Sequence, residues 1–142
     1  MVTLEIRHLT AADVDDVMAA GHLFDDEPQR EWTEAFFARD GHHMLFAWWG
    51  DEAVGFVTGI ENLHPDKGVE MMLYELGVDA AYRRRGIARS LVAALADLAI
   101  ERGCYGMWVP IEPDNEPAEA TYRSAGAEEP EAGFTMNWTF DD

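Results

Sequence analysis

The sequence predicts a mixed α/β fold in which helices and strands alternate around one mostly antiparallel sheet, in the order β-α-α-β-β-β-α-β-α-β. Three observations predict it. Apolar residues recur at every second position in several short runs, the period of a strand half-buried in a sheet. Residues 86–102 instead place Ile87, Leu91, Leu95 and Leu98, with Ala88, Val92 and Ala99, at three- and four-residue spacings, which makes one apolar helix face. That helix lies between two strand-like runs, 69–78 and 106–111, so the two strands it joins are expected to be parallel. A length of 142 residues points to a single domain over 1–142.

The elements follow in order. Residues 2–7 alternate and read as a strand. Thr10 with Asp13 resembles a capping box and opens a helix running to about Ala20. Asp25-Asp26-Glu27-Pro28 reads as a turn, with Pro28 near the first position of a helix to about Arg39 that Gly41 ends. Residues 44–49 and 53–61 flank Gly50-Asp51-Glu52 and read as a β-hairpin. Residues 62–68 hold Pro65 and Gly68 and read as a loop before the strand 69–78. Gly103 stops the helix 86–102. A short strand 106–111, a helix 117–125 stopped by Gly126, and an alternating strand 134–140 complete the chain.

Charge narrows the partners. Ten Lys and Arg stand against 28 Asp and Glu, a net charge of −18. Such a surface repels nucleic acid and anionic membranes and attracts cations. No apolar run reaches the roughly 20 residues of a membrane span. The first residues carry no secretory signal pattern, and the single cysteine, Cys104, has no internal partner. A cytoplasmic location is expected. His8, His22, His42, His43 and His64 show no metal-ligand spacing, and no metal is expected; His42 and His43, adjacent on a strand, face opposite ways.

Arg83-Arg84-Arg85 places three of the ten cations side by side, between a strand and the clearest helix. The first-turn N–H groups of a helix are unpaired and partly positive, and a diphosphate docks on them readily. Gly86 and Ala88 keep that approach clear. No Gly-Lys-Ser/Thr follows and no Gly-x-Gly-x-x-Gly is present, so neither a Walker loop nor a dinucleotide fold is expected.

Arg83-Arg84-Arg85-Gly86-Ile87-Ala88 is similar to the Arg/Gln-x-x-Gly-x-Gly/Ala signature of the GNAT acetyltransferase superfamily. Downstream, residues 115–126 match its Asn-x-x-Ala-x-x-Leu-Tyr-x-x-x-Gly block, with Thr121 in place of the usual Leu; Ala127 stands where Phe usually follows the glycine. The resemblance implies acetyl-CoA as cosubstrate. It implies that the pyrophosphate lies on the amides of Arg84, Arg85, Gly86, Ile87 and Ala88, with Arg83 beside them. The pantetheine arm would pair with the open edge of the fourth strand at Leu76 and Val78, with Asn115 holding its far part. The fourth and fifth strands would splay to admit the thioester, and Gly77 would leave room for the acetyl group.

Acetyl transfer needs a proton acceptor for the amine, N–H donors for the developing oxyanion, and stabilisation of the departing thiolate. The resemblance gives the thiolate to Tyr122 and the oxyanion to the Val78 N–H. Glu75 is the leading base, because alternation puts it on the face of Gly77; Glu70 is the second candidate. Asp25, Asp26 and Glu27, together with Glu61, Glu70 and Glu75, are expected to border a cleft for a cationic amine, with Trp32, Trp48, Trp49 and Tyr74 interspersed. Glu128, Glu129, Glu131, Asp141 and Asp142 add to this acidity.

The blocks around Tyr74-Glu75-Leu76, residues 84–88 and residues 116–122 look like those of the aminoglycoside 3-N-acetyltransferases of the GNAT type. That resemblance implies a polycationic aminoglycoside acceptor. An acetyltransferase for another amine (polyamine, amino acid or protein lysine) and a non-catalytic acyl-CoA-binding module stay open. The family is often dimeric, and Trp138 or Phe140 would either serve such a contact or pack on the sheet.

Overall fold

The computed structural model describes residues 2–133 and 135–140. Five strands form one sheet in sequence order: β1 (Leu4–His8), β2 (His42–Trp49), β3 (Glu52–His64), β4 (Gly68–Val78) and β5 (Met107–Trp108). The first four pair antiparallel, and β4 pairs parallel with β5. Four α-helices cover the sheet: α1 (Val14–Ala19), α2 (Arg30–Ala38), α3 (Ile87–Glu101) and α4 (Glu116–Ser124). The expected mixed fold, with its one parallel crossover through α3, is present.

Each face of the sheet has its own core. On one, Leu91 and Leu95 of α3 are fully buried against Leu45, Val57, Met71 and Leu73. Gly59 lets α3 pack closely there: a Cβ would stand 2.7 Å from the Leu95 Cδ1 and 2.8 Å from the Met71 sulfur, so these side chains would have to shift. On the other face, Val17 and Leu23 pack on Phe46 and Phe56. Trp48 and Trp49 divide between the two, as strand alternation requires.

The capping box forms: Thr10 N–H donates to Asp13 Oδ2 at 2.7 Å. It opens a 3-10 turn that leads into α1. Pro28 lies two residues ahead of α2, whose N-cap is Gln29, so the turn before the helix is longer than expected. The expected loop over 62–68 shrinks to three residues, because Asn62, Leu63 and His64 pair with Glu70, Val69 and Gly68. β5 is shorter than expected, pairing only at Met107 and Trp108. The closing strand 134–140 does not form among the described residues. Residues 135–140 carry no regular structure, and Met136, Trp138 and Phe140 are 80%, 73% and 91% exposed. Alternation makes a strand only where an edge accepts its backbone groups, and no strand pairs with this segment. Phe134, Asp141 and Asp142 lie outside the described residues.

Candidate active site

β4 carries the site, and a bulge shapes it. Thr58 pairs with Glu75 and Gly59 with Leu73, which leaves Tyr74 as an extra residue on β4. The extra residue reverses the alternation. Met71 and Leu73 point to α3 before the bulge, and Leu76 and Val78 do so after it. Glu75 and Gly77 therefore face the opposite side, toward the segment between α1 and α2. A regular strand would have turned Glu75 into the α3 core.

The hydrogen-bond alternation is fixed as well. Asp79 N–H donates to Val54 O at 2.8 Å. In an antiparallel ladder this gives Gly77 its bonds to β3 and turns the N–H and C=O of Leu76 and Val78 the other way. On that side β5 pairs only as far as Met72. The two strands thus part beyond Met72, and the Leu76 and Val78 backbone faces the gap.

Glu75 lies between two adjoining cavities. One of about 240 Å³ is lined by Leu23, Asp25, Phe56, Tyr74, Glu75 and Gly77, among others. The other, about 590 Å³, is lined by Asp25, Asp26, Glu27, Trp32, Tyr74 and Glu75 among others, and no Lys or Arg lines either. Burial, then the neighbouring Asp25 and Asp26 carboxylates, push the Glu75 carboxyl above its ordinary 4.5. A Cβ at Gly77 would stand 2.7 Å from both the Leu23 carbonyl oxygen and the Phe56 ring, so the close approach of these groups favours glycine there.

The loop before α3 suits an anion. Arg84 (φ +64°) and Gly86 (φ +78°) are both left-handed, which turns successive N–H groups to one side. Gly86 is the N-cap of α3 and supplies no side-chain cap, and the space where its Cβ would project is open. Ser90 is the first residue of this turn whose N–H is taken by Gly86 O, at 3.0 Å. Arg83 and Arg84 are exposed, without an ion pair among the described residues. Arg85 behaves differently: its guanidinium lies 5.0 Å from the Tyr82 ring centre and 5.4 Å from that of Trp49. The Tyr82 hydroxyl in turn donates to Glu52 at 2.6 Å. A diphosphate fits this cradle, with the amides of 84–88 as donors and Arg83 and Arg84 as the free cations.

Tyr122 is half-buried on α4 and packs on the α3-side core, against which Leu76 and Val78 also pack. Burial pushes its phenol above 10.0. It does not line the acidic cavities: it packs on the α3 side of the sheet, whereas Glu75 faces the other side. Asn115 is the N-cap of α4, its side-chain oxygen accepting the Ala118 N–H at 3.1 Å, which leaves its amide N–H₂ for a ligand.

Two expected members are elsewhere. Glu70 sits five residues before Glu75, roughly 16 Å along the strand, and accepts from the Tyr105 hydroxyl at 2.9 Å. Glu61 is nearly buried in a network with His43 and Arg102. Neither lines the cleft: Glu70 lies at the far end of the strand it shares with Glu75, and Glu61 is held by His43 and Arg102. Glu129 pairs with Arg123 at 2.7 Å. His22 lies 3.3 Å from the Ala53 carbonyl oxygen and 3.7 Å from Asp79. Cys104 packs on the core, and burial raises its thiol pKa. Sequence reasoning passed over Thr58, whose hydroxyl accepts the Glu75 N–H at 3.0 Å. A strand threonine carries no signal of a bulge opposite it.

Among the described residues no three His, Cys, Asp or Glu side chains are grouped to hold a metal, and no helix is long and apolar enough to cross a membrane. The sequence pattern of the Acetyltransferase (GNAT) family matches residues 9–127. The chain belongs to that family. It is 36% identical over 105 residues to the N-alpha-acetyltransferase RimI of Mycobacterium tuberculosis, covering 71% of this chain and 62% of that protein. The GNAT chain spans between 34% and 62% of the first curated relatives it matches. Its fold superposes on an aminoglycoside acetyltransferase from an uncultured soil metagenomic sample, solved with sisomicin. The TM-score is 0.84 at 21% identity, over 96% of this chain and 97% of that one. It also superposes on the aminoglycoside N-acetyltransferase AAC(6')-Iy solved with CoA. There the TM-score is 0.80 at 20% identity, over 97% and 96% of the two chains.

Proposed function

We propose that this GNAT chain transfers the acetyl group of acetyl-CoA to a primary amine of a polycationic small molecule of the aminoglycoside class, at the 3-amino group that the sequence resemblance implies. One observation carries the reading. The bulge of β4 delivers Glu75 into a cleft that Asp25, Asp26 and Glu27 also line, beside Trp32 and Tyr74. Several carboxylates and no cation favour a ligand with several ammonium groups, and exposed aromatic faces suit sugar rings and cations.

Acetyl-CoA supplies the acyl group as an activated thioester. The chain's residues do the rest. The amides of Arg84, Arg85, Gly86, Ile87 and Ala88, with Arg83, hold the pyrophosphate. The Leu76 and Val78 backbone, facing the gap beside β5, binds the extended arm, with the Asn115 amide at its far part. The Val78 N–H is the donor for charge developing on the carbonyl oxygen. Glu75, whose raised pKa makes it a better base than an ordinary carboxylate, takes the amine proton directly or through water. Tyr122 donates its phenolic proton toward the departing sulfur. The enzyme works in the cytoplasm, where acetyl-CoA is made, and a homodimer would use the exposed Trp138 and Phe140.

A second reading has a specific support: the 36% identity to RimI, an N-alpha-acetyltransferase, favours a peptide or amino-acid amine. Thiol release from acetyl-CoA across aminoglycosides, spermidine, diaminobutyrate and an alanine-terminated peptide separates the two. Turnover on aminoglycosides, with the product's acetyl group located by NMR, supports the first. Turnover on the peptide or amino acid alone overturns it and leaves the cofactor site standing. CoA binding without turnover on any amine favours a binding module.

A further inference from the structure

We propose that Thr58 is the positioning residue for Glu75, holding the bulge that aims this carboxylate into the acceptor cleft. The inference rests on the proposed role of Glu75. The pairing Thr58–Glu75 continues the hydrogen-bonded series Val54–Asp79 and Phe56–Gly77, so a regular ladder would join the Glu75 N–H to the Thr58 carbonyl. The Thr58 side chain, Oγ1, accepts the Glu75 N–H at 3.0 Å, beside the extra residue Tyr74.

The bond is shielded, since Thr58 is only 5% exposed. A buried N–H needs an acceptor, and the Thr58 hydroxyl supplies one at the bulge. Pairing shifted by one residue, with Glu75 opposite Val57, would turn Glu75 toward the α3 side, among Leu73, Leu91 and Leu95, where a carboxylate has no partner. The hydroxyl therefore ties Glu75 to Thr58, in the register in which Glu75 meets the substrate. Serine can replace it, while valine, of the same shape, cannot.

The test compares Thr58→Val, Thr58→Ser and Glu75→Gln, alone and with Thr58→Val added to Glu75→Gln. Each is read as kcat, KM for both substrates and the pH profile of kcat/KM. A displaced carboxylate costs up to about 10²-fold in rate. Thr58→Val is expected to lose kcat on that scale, keep the KM for acetyl-CoA, and lose the limb of the pH profile that belongs to Glu75. Thr58→Ser is expected to restore both, and Thr58→Val to add nothing in the Glu75→Gln background. If valine does not fold, Thr58→Ala carries the same comparison against serine. Glu75→Gln impaired with Thr58→Val unimpaired overturns this inference alone, as does a Thr58→Val loss that persists undiminished in the Glu75→Gln background. Wild-type rates in Glu75→Gln overturn the role of Glu75 itself, and the inference falls with it.

Discussion

Arg102 Nε donates to Glu61 Oε2 at 2.7 Å, and the same oxygen meets the ring Nε2 of His43. His43 Nδ1 lies 3.2 Å from His8 Nε2, so one chain of polar groups links β1, β2, β3 and the C-terminal end of α3. Asp40 flanks Arg102 at 3.6 Å. The network sits at the end of the sheet away from the proposed site. Glu61→Gln is therefore expected to leave kcat unchanged while lowering stability by about 1–2 kcal/mol, discounted for the half-exposed Arg102. The corresponding fall in Tm, roughly 3–8 °C, is read by thermal denaturation.

The same groups set a pH dependence of stability. Burial, with His43 and Arg102 nearby, holds His8 below its ordinary 6.5. Burial works to raise Glu61, but the Arg102 and His43 hydrogen bonds outweigh it and hold the carboxyl below 4.5. Both folded values are depressed, so in both cases the unfolded chain binds the proton first as pH falls. Stability is expected to be full above 6.5, to decline below it while His8 stays neutral in the fold, and to fall again below 4.5 as Glu61 is protonated. Urea titrations across this range check it; flat stability down to 4.5 would remove His8 from the account.

Glu75 has the opposite sign. Its folded pKa is raised, so the ionised form above 4.5 costs stability that the unfolded chain does not lose. Glu75→Gln is expected to melt at or above the wild-type temperature at neutral pH, with the difference closing below 4.5, while losing about 10²-fold or more in kcat. Stability and activity thus move apart at one position, which a merely structural carboxylate would not do.

These residues also show what could be read without coordinates. The helix α3, the Thr10 capping box, the strand-to-helix turn before α3 and the split of Trp48 from Trp49 follow from local period and turn chemistry, and each is legible. Glu75 and Gly77 share a face, as two-residue alternation requires, since both follow the bulge. Glu70 lies where the strand 69–78 places it, but its hydrogen bond from Tyr105, far along the chain, is not local information. The approach of Leu23 and Phe56 to Gly77, from distant parts of the chain, is not legible in the sequence. The terminal alternating run has the period of a strand, yet a strand needs an edge, and β5 ends at Trp108.

The anion loop offers a separation of stability from binding. Arg84 adopts φ +64°, a conformation that costs a non-glycine residue roughly 1 kcal/mol. Arg84→Gly is expected to stabilise the fold by up to about that amount while raising the KM for acetyl-CoA. Gly86→Val is expected to do worse on both counts, because it places a branched side chain at φ +78° in the open approach to α3. Thermal melts with KM determinations for acetyl-CoA read the pair.

Carboxylates in the cleft should act on the other substrate. Asp25→Asn and Asp26→Asn are expected to raise the KM for a polycationic acceptor and leave that for acetyl-CoA unchanged. The acceptor KM of the wild type is expected to rise with salt, since exposed charges are screened beyond about 8–10 Å at physiological strength. Each substitution is expected to weaken that salt dependence.

The account stands most directly on acetyl transfer at β4. Thiol release from acetyl-CoA is to be followed with and without sisomicin, in the wild type, Glu75→Gln and Tyr122→Phe. The account predicts release that depends on the aminoglycoside and falls sharply in both variants. Aminoglycoside-dependent release at the wild-type rate in both would contradict it, as would a wild type that binds CoA and releases no thiol with sisomicin present.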